Sequence, residues 1–476
     1  MGFTIGGYGY TNWTPSLQTS NHYSIILLSF TKHFAMVNKR YSSQSRFNIG
    51  SFIREESLGG FILIGVTVIA LIWANSGFYE YYHYLWHEVK MSFSFGDFSL
   101  DKDLHHWIND GLMAIFFFMI GLEIKREVLA GELSTMEKAI FPIIAAVGGM
   151  LIPAVIYVLM VINNPEYING WGIPMATDIA FALGLMAMLG KRVPISLKIF
   201  LTALAIADDL GAILVIAIFY TDSIQLSELL MAALNLAILF GASRLGVRST
   251  TFYAIVGILG VWVSFLFSGV HATIAGVLIA MTIPVRPKID EKTFIARLSG
   301  CLEVFRKTDP NNKALLTKKQ SEVITEIGKH VNDADTPLQK LEHSLHPISI
   351  YFILPLFALS NAGVHIEGSI LDMLFHPVAM GIMAGLVLGK FLGISLFSKI
   401  AVRLKLAKLP EGVRWKHIYG TAFLAGIGFT MSMFIAALGF TDGHLVEIAK
   451  VGILAASLIS AVTGMMILRS AGKDLS

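Results

Sequence analysis

The chain has 476 residues, 55% of them hydrophobic and only 14% charged, with a formal net charge of +3. A soluble globular protein carries about 25% charged residues, so this composition belongs to an integral membrane protein. The basic residues fall between apolar runs and form no continuous soluble face, which excludes a nucleic-acid binder.

Residues 1–50 are rich in Ser, Asn and Tyr and read as a flexible N-terminal extension, or as an over-extended start with Met36 as initiator. The apolar run Ser24–Phe30 lacks a basic flank and a small-residue cleavage site, which argues against a signal peptide. Twelve apolar segments come next, near residues 58–75, 107–122, 138–161, 171–189, 195–220, 225–241, 250–268, 270–284, 346–362, 375–397, 417–440 and 445–468. Barrel strands would run about 9–11 residues with alternating polarity, so these lengths predict helices. The fold expected is an all-α polytopic membrane protein of about 12 transmembrane helices. Residues 52–285 form a first membrane part with spans 1–8, and residues 342–470 a second with spans 9–12. Between them, residues 286–341 are charged and mixed, with helical patches such as Ser321–Val331, and read as a partly helical cytoplasmic loop. The one cysteine, Cys301, lies in that loop; it has no internal disulfide partner and implies no redox role.

The Lys/Arg distribution orients the chain. One set of loops holds Lys125, Arg126 and Lys138, then Lys191 and Arg192, then Arg244 and Arg248. The same set holds eleven basic residues between Arg286 and Lys340, and six between Lys399 and Lys416. The opposite set holds Lys90, Lys102 and Lys450. Arg54 before the first span and Arg469 and Lys473 after the last put both termini on the cytoplasmic side.

Within the spans a few polar residues stand out. Glu123, Lys125, Arg126 and Glu127 close the second span. Glu123 and Glu127 share a helix face, where mutual repulsion favours proton uptake, although a solvated helix end reads the same way. Asp110 and His271 are singletons; His271 titrates near neutrality when unperturbed, but a polar cap is its plainer role. Asp178 follows Gly170, Gly172, Pro174 and Thr177, a composition that interrupts a helix, and Gly426, Gly428, Thr430 and Ser432 interrupt a second span. Paired broken helices, one in each half, point to a site at the midplane of an inverted-repeat transporter. At such a crossing Asp178 would offset the positive half-helix ends and Lys390 the negative ones.

Asp208 and Asp209 lie mid-span, where each ionised side chain costs roughly 2.5–3.5 kcal/mol. Such a pair persists by facing a wet cavity, binding cations or taking up protons, so an ion or proton pathway is the default. Being consecutive, the two are about 100° apart on the helix and cannot share a proton directly. Lys390, also deep in a span, matches them by charge, and a contact with either Asp208 or Asp209 would lower the cost of both, as a plain structural salt bridge would too. Gly381, Gly385, Gly389 and Gly393 precede and follow it at four-residue intervals, a stripe for close helix packing. Glu342, His343 and His346 have a spacing open to metal ligation, with nothing else to support it.

The segments Phe116–Glu127, Thr177–Phe181, Ala207–Ile213, Ser268–Gly276 and Leu341–Pro347, with Gly389–Lys390, together strongly resemble the bacterial NhaA sodium/proton antiporters, over roughly residues 52–470. This family is itself a standard example of inverted-repeat transporters with broken crossing helices. The resemblance implies exchange of cytoplasmic Na+ or Li+ for external H+ by alternating access, electrogenic and activated at alkaline pH. It implies Asp209 as the principal cation- and proton-binding carboxylate, with Asp208 beside it and Lys390 paired to the first aspartate. It also implies Asp178 and Thr177 at the crossing, and Glu123, Arg126, Glu127, Glu342 and His271 in the pH response. No cofactor beyond the transported ions is expected, and no enzymatic activity; the partners implied are the lipid bilayer of the bacterial inner membrane and a second copy in a homodimer. Phe391 stands where the family pattern leads one to expect proline, and the first 50 residues have no counterpart.

Three other readings fit less well. An intramembrane aspartyl protease needs aspartates on two spans, whereas Asp208 and Asp209 share one. A sodium-coupled symporter of similar fold would need a roomier cavity, and a channel suits broken helices less well.

Overall fold

Apolar helices of membrane-crossing length dominate the computed structural model, which describes residues 49–95, 98–221, 224–308, 315–366 and 368–473. The expectation for residues 1–48 lies outside the described residues. Among the described residues, eight helices are long and apolar enough to span a bilayer: Leu104–Ala130 (α2), Met136–Val161 (α3), Ile195–Phe219 (α5), Leu226–Arg244 (α6), Thr250–Ser268 (α7), Pro337–Asn361 (α11), Pro377–Arg403 (α12) and Gly443–Ala471 (α15). Two bent pairs join them: the 3-10 turns Pro165–Met175 with Ile179–Met188 (α4), bent by 45°, and Trp415–Leu424 (α13) with Phe429–Gly439 (α14), bent by 46°. The shorter apolar helices Leu58–Ala74 (α1) and Ala272–Thr282 (α8) complete the set. Each of the twelve apolar segments in the sequence therefore has its helix, and the fold is a polytopic helical membrane protein.

Large apolar side chains point outward along these helices; Ile72, Ile218, Leu259 and Leu458 are each at least 65% exposed. In water such a surface would drive aggregation, but against lipid it is the matching solvent. Between helices, hydrocarbon tails offer no hydrophobic contrast, so close packing must do the holding. The glycine stripe of α12 supplies it against α3. A Cβ at Gly389 would lie 2.7 Å from the Cα of Pro153, and one at Gly393 would strike the carbonyl of Gly148.

Two features depart from the sequence reading. Lys90–Phe95 (β1) and Phe98–Asp103 (β2) pair antiparallel, with Lys90 opposite Asp103, beside the otherwise helical fold. Alternating Phe and Ser in the run KMSFSF was the available signal, and it lay between spans. Lys450, counted in a loop, sits inside the last helix. The charged segment between the membrane parts holds the helices Glu291–Arg306 (α9) and Lys318–Ala334 (α10). Asp290 caps the first, accepting from the Thr293 amide, and Thr317 with Gln320 forms a reciprocal capping box on the second. Lys288 anchors the far end of α10, its amide donating to the Asp333 carbonyl and its ammonium 3.2 Å from the Asp333 carboxylate.

Candidate ion-binding site

The two breaks meet. The amide of Asp178 donates to the carbonyl of Ile427 at 2.7 Å, tying one interruption to the other. Four half-helix ends converge at such a crossing, each with unsatisfied backbone groups and none reachable by water in an apolar interior. Asp178 satisfies two of them. Its Oδ1 accepts from the Phe181 amide at the start of α4, and its Oδ2 accepts from the amide and hydroxyl of Thr430 at the start of α14. One buried carboxylate thus serves both positive helix ends.

The negative ends are handled otherwise than the sequence suggested. Lys390 was expected there, but its ammonium goes to Asp208, 2.5 Å from Oδ2, and both side chains are fully buried. Thr177 takes up the end of α13, its Oγ1 lying 2.7 Å from the Ala425 carbonyl. The same hydroxyl lies 2.7 Å from Asp208 Oδ2. A hydroxyl has one proton to donate, so it bonds either the helix end or the carboxylate at any moment. Thr177 therefore links the charge state of Asp208 to the broken helix.

A wide π-type turn at Ala384–Gly389 immediately precedes Lys390. An extra residue in a helical turn rotates the rest of the helix about its axis, and such turns recur at functional sites. Phe391, in place of proline, leaves the helix continuous and stacks on Phe423, with ring centroids 4.5 Å apart.

Asp209, one residue on, leaves the helix about 100° further round its axis. It is 1% exposed, and its Oδ1 is buried with no hydrogen-bond partner among the described residues; Asp208 Oδ1 is likewise without one. An unpartnered carboxylate oxygen in a dry interior is unstable as an anion unless a cation or a proton joins it. The donor set here, carboxylate oxygens with nearby hydroxyls and carbonyls, suits a hard cation.

A second charged group forms where α2 meets α11. Arg126 Nε lies 2.8 Å from Glu342 Oε1, and its Nη2 lies 3.0 Å from Glu127 and 3.9 Å from Glu123. Glu123, Glu127 and Glu342 are buried around this guanidinium. Glu123 and Glu127 are thus bridged by a cation instead of simply repelling each other. Glu342 is held by Arg126, and Glu342, His343 and His346 form no metal-holding group among the described residues. His271 does not join the cluster. It occupies the N-cap position of α8 without a side-chain capping bond, and the other end of that helix, about 16 Å away along 11 residues, packs against Arg126's helix. There Lys125 donates to the Met281 and Ile283 carbonyls, each at 2.6 Å. Sequence reading missed this cap, because nothing local marks a lysine on one helix as the closure of another. Asp110 is half-buried near the start of α2, where its carbonyl accepts from the Trp262 indole.

The Na+/H+ antiporter 1 family matches residues 50–468 of the chain. The sequence is 50% identical over 424 residues to the Na(+)/H(+) antiporter NhaA 1 of Psychromonas ingrahamii, covering 88% of this chain and 96% of that protein. It is 49% identical over 419 residues to the NhaA antiporter of Oleidesulfovibrio alaskensis, covering 88% of this chain and 92% of that protein. It is 50% identical over 418 residues to that of Acidithiobacillus ferrooxidans, covering 87% and 95% respectively. A polytopic helical fold, two broken helices crossing at buried aspartates and a match over nearly all the membrane region have one common meaning: this chain belongs to the Na+/H+ antiporter 1 family.

Proposed function

We propose that the chain exchanges cytoplasmic Na+, or Li+, for external H+ across the bacterial inner membrane, with both termini cytoplasmic. The observation that carries the reading is Asp209, a buried carboxylate whose Oδ1 has no hydrogen-bond partner among the described residues, beside the buried Lys390–Asp208 ion pair. The names of the relatives, all antiporters, favour exchange over sodium-coupled symport.

Asp209 is the shared seat of competing cargoes. A proton neutralises it covalently, and a hard cation neutralises it by coordination. Both cannot do so at once, so binding of one expels the other, and competition at one site becomes exchange. Asp208 offers its Oδ1 as it stands, and brings both oxygens to the cation when it lets go of Lys390. The ammonium then loses its counter-ion in a dry interior and has reason to release a proton. Asp209 and Lys390 together thus furnish two protons for one cation, and net charge moves. Each net charge is worth about 2.3 kcal/mol per 100 mV, which lets the membrane potential drive extrusion.

In this conformation Asp178, Asp208, Asp209 and Lys390 are each no more than 2% exposed, so the site is closed around its carboxylates. Opening to either side requires the crossing to rearrange, and the Thr177 hydroxyl moves between Asp208 and Ala425 as the pair breaks. The Arg126 cluster lies on the helix ends that the basic loops place in the cytoplasm. This cluster, three carboxylates around one permanently charged guanidinium, is the proposed seat of activation at alkaline pH, with His271 contributing separately. A homodimer is the proposed assembly.

The test is proton flux in everted vesicles holding a preformed pH gradient, with Na+ added at pH 7 and 8.5. Wild type should collapse the gradient, more strongly at pH 8.5, and Asp209→Asn should not. Normal collapse by Asp209→Asn would remove this carboxylate from the exchange.

A further inference from the structure

We propose that Cys301, Glu326 and His330 form a zinc site that staples α9 to α10, outside the membrane-spanning helices. The three side chains each direct one ligand atom to a common region, and these atoms all lie within 4.8 Å of one another. Glu326 and His330 are four residues apart on α10 and share a face. Cys301 reaches them from α9, buried to 7% exposure.

The histidine supplies an independent observation. Its Nε2 lies 3.8 Å from Glu326 Oε1, beyond hydrogen-bond reach. Its Nδ1 is buried with no hydrogen-bond partner among the described residues. A mostly buried imidazole ordinarily donates from one nitrogen and accepts at the other. Leaving the buried Nδ1 idle costs free energy that an apolar side chain would avoid. Coordination of a metal uses one nitrogen and gives the ring a reason to be there.

The donor set selects the ion. Thiolate, imidazole and carboxylate together suit Zn2+, whereas Mg2+ and Ca2+ take oxygen alone. Zinc bonds of about 2.0–2.3 Å in a tetrahedron put ligand atoms about 3.3–3.7 Å apart. Ligand atoms within 4.8 Å of one another are therefore about 1 Å from that spacing. Cys301 binds as the thiolate, its proton passing to solvent. Three protein ligands leave the fourth tetrahedral position for water, and the exposed Glu326 provides the entry path. None of the three touches the aspartates of the ion site, so the site is separate from exchange.

The test uses the full chain purified in detergent, stripped with chelator and titrated with Co2+, whose thiolate complexes absorb by charge transfer in the near ultraviolet. One equivalent should bind with that band, and Zn2+ should displace it stoichiometrically. Cys301→Ser should lose the band, and His330→Ala should weaken binding by about tenfold or more. Absence of the band in folded wild type, or unchanged Co2+ affinity in the Cys301→Ser/His330→Ala double variant, overturns the site. Wild type gives a second readout should the variants fail to fold. Cys301 is the chain's only cysteine, so its alkylation is unambiguous, and one equivalent of Zn2+ should slow it about tenfold. Alkylation at the same rate with and without Zn2+ overturns the proposal equally.

Discussion

Lys390 and Asp208, 182 residues apart in sequence, form a completely buried ion pair at 2.5 Å, and the Thr177 hydroxyl touches the same carboxylate oxygen. The pair holds α12 to α5 at the level where the broken helices cross. Removing one member of such a pair is far more damaging than replacing both, because the survivor is left buried and uncompensated. Lys390→Met is therefore predicted to cost about 3–5 kcal/mol, less whatever Asp208 recovers by taking up a proton. Asp208→Asn/Lys390→Met should regain most of that loss. Thermal unfolding in detergent measures both, and equal destabilisation by single and double variants would locate the cost elsewhere.

Asp178 caps two half-helices at once. Losing a cap typically costs about 1 kcal/mol, so Asp178→Ala should cost about twice the usual single loss. Hydrogen exchange should quicken at the first turns of both α4 and α14. Thr430→Val, which deletes one of the Asp178 bonds, should quicken exchange at α14 alone. Faster exchange in α4 with Thr430→Val would contradict this division.

Arg126 and Glu342 join α2 to α11 at 2.8 Å with little solvent between them. Their coupling, taken from Arg126→Met, Glu342→Gln and the double variant, should exceed about 1 kcal/mol, above the range of exposed pairs. A coupling near zero would mean that Glu127 and Glu123 hold the guanidinium without help. The pH profile of Na+-driven proton flux, measured on the same variants, should move with Arg126→Met.

His376, immediately before the membrane-crossing helix α12, supplies a pH dependence. Its Nδ1 accepts from the Val378 amide at 3.3 Å, capping α12, and burial, with His444 nearby, holds its pKa below 6.5. A depressed histidine contributes stability that is present above the unfolded value and is lost as pH falls through the folded value. Protonating Nδ1 also removes the lone pair that caps the helix. Amides in the first turn of α12 should thus exchange faster at pH 5 than at pH 7.5 relative to intrinsic rates. His376→Asn keeps an acceptor at the cap and should abolish the difference; persistence of the difference in that variant would implicate another group.

Much of this protein was legible one segment at a time. Lipid demands helices of set length with outward apolar faces, a requirement written locally, so all twelve segments were found. The same local logic marked Asp208 and Asp209 as costly, the two Gly/Pro-rich interruptions as breaks, and Glu123 with Glu127 as neighbours on one face. The β-hairpin escaped because short alternating runs between spans carry a weak signal beside long apolar ones. Partner choice was the tertiary structure's to decide. Consecutive aspartates differ by about 100° in direction, and that rotation gives Lys390 to Asp208 while leaving Asp209 Oδ1 without a hydrogen-bond partner among the described residues. The crossing likewise assigned Asp178 to two helix starts and Thr177 to a helix end, and it brought Arg126 to Glu342 but left His271 at the far end of α8. Charge and hydropathy state what each residue costs in a membrane; only the packing of distant helices determines which group meets that cost.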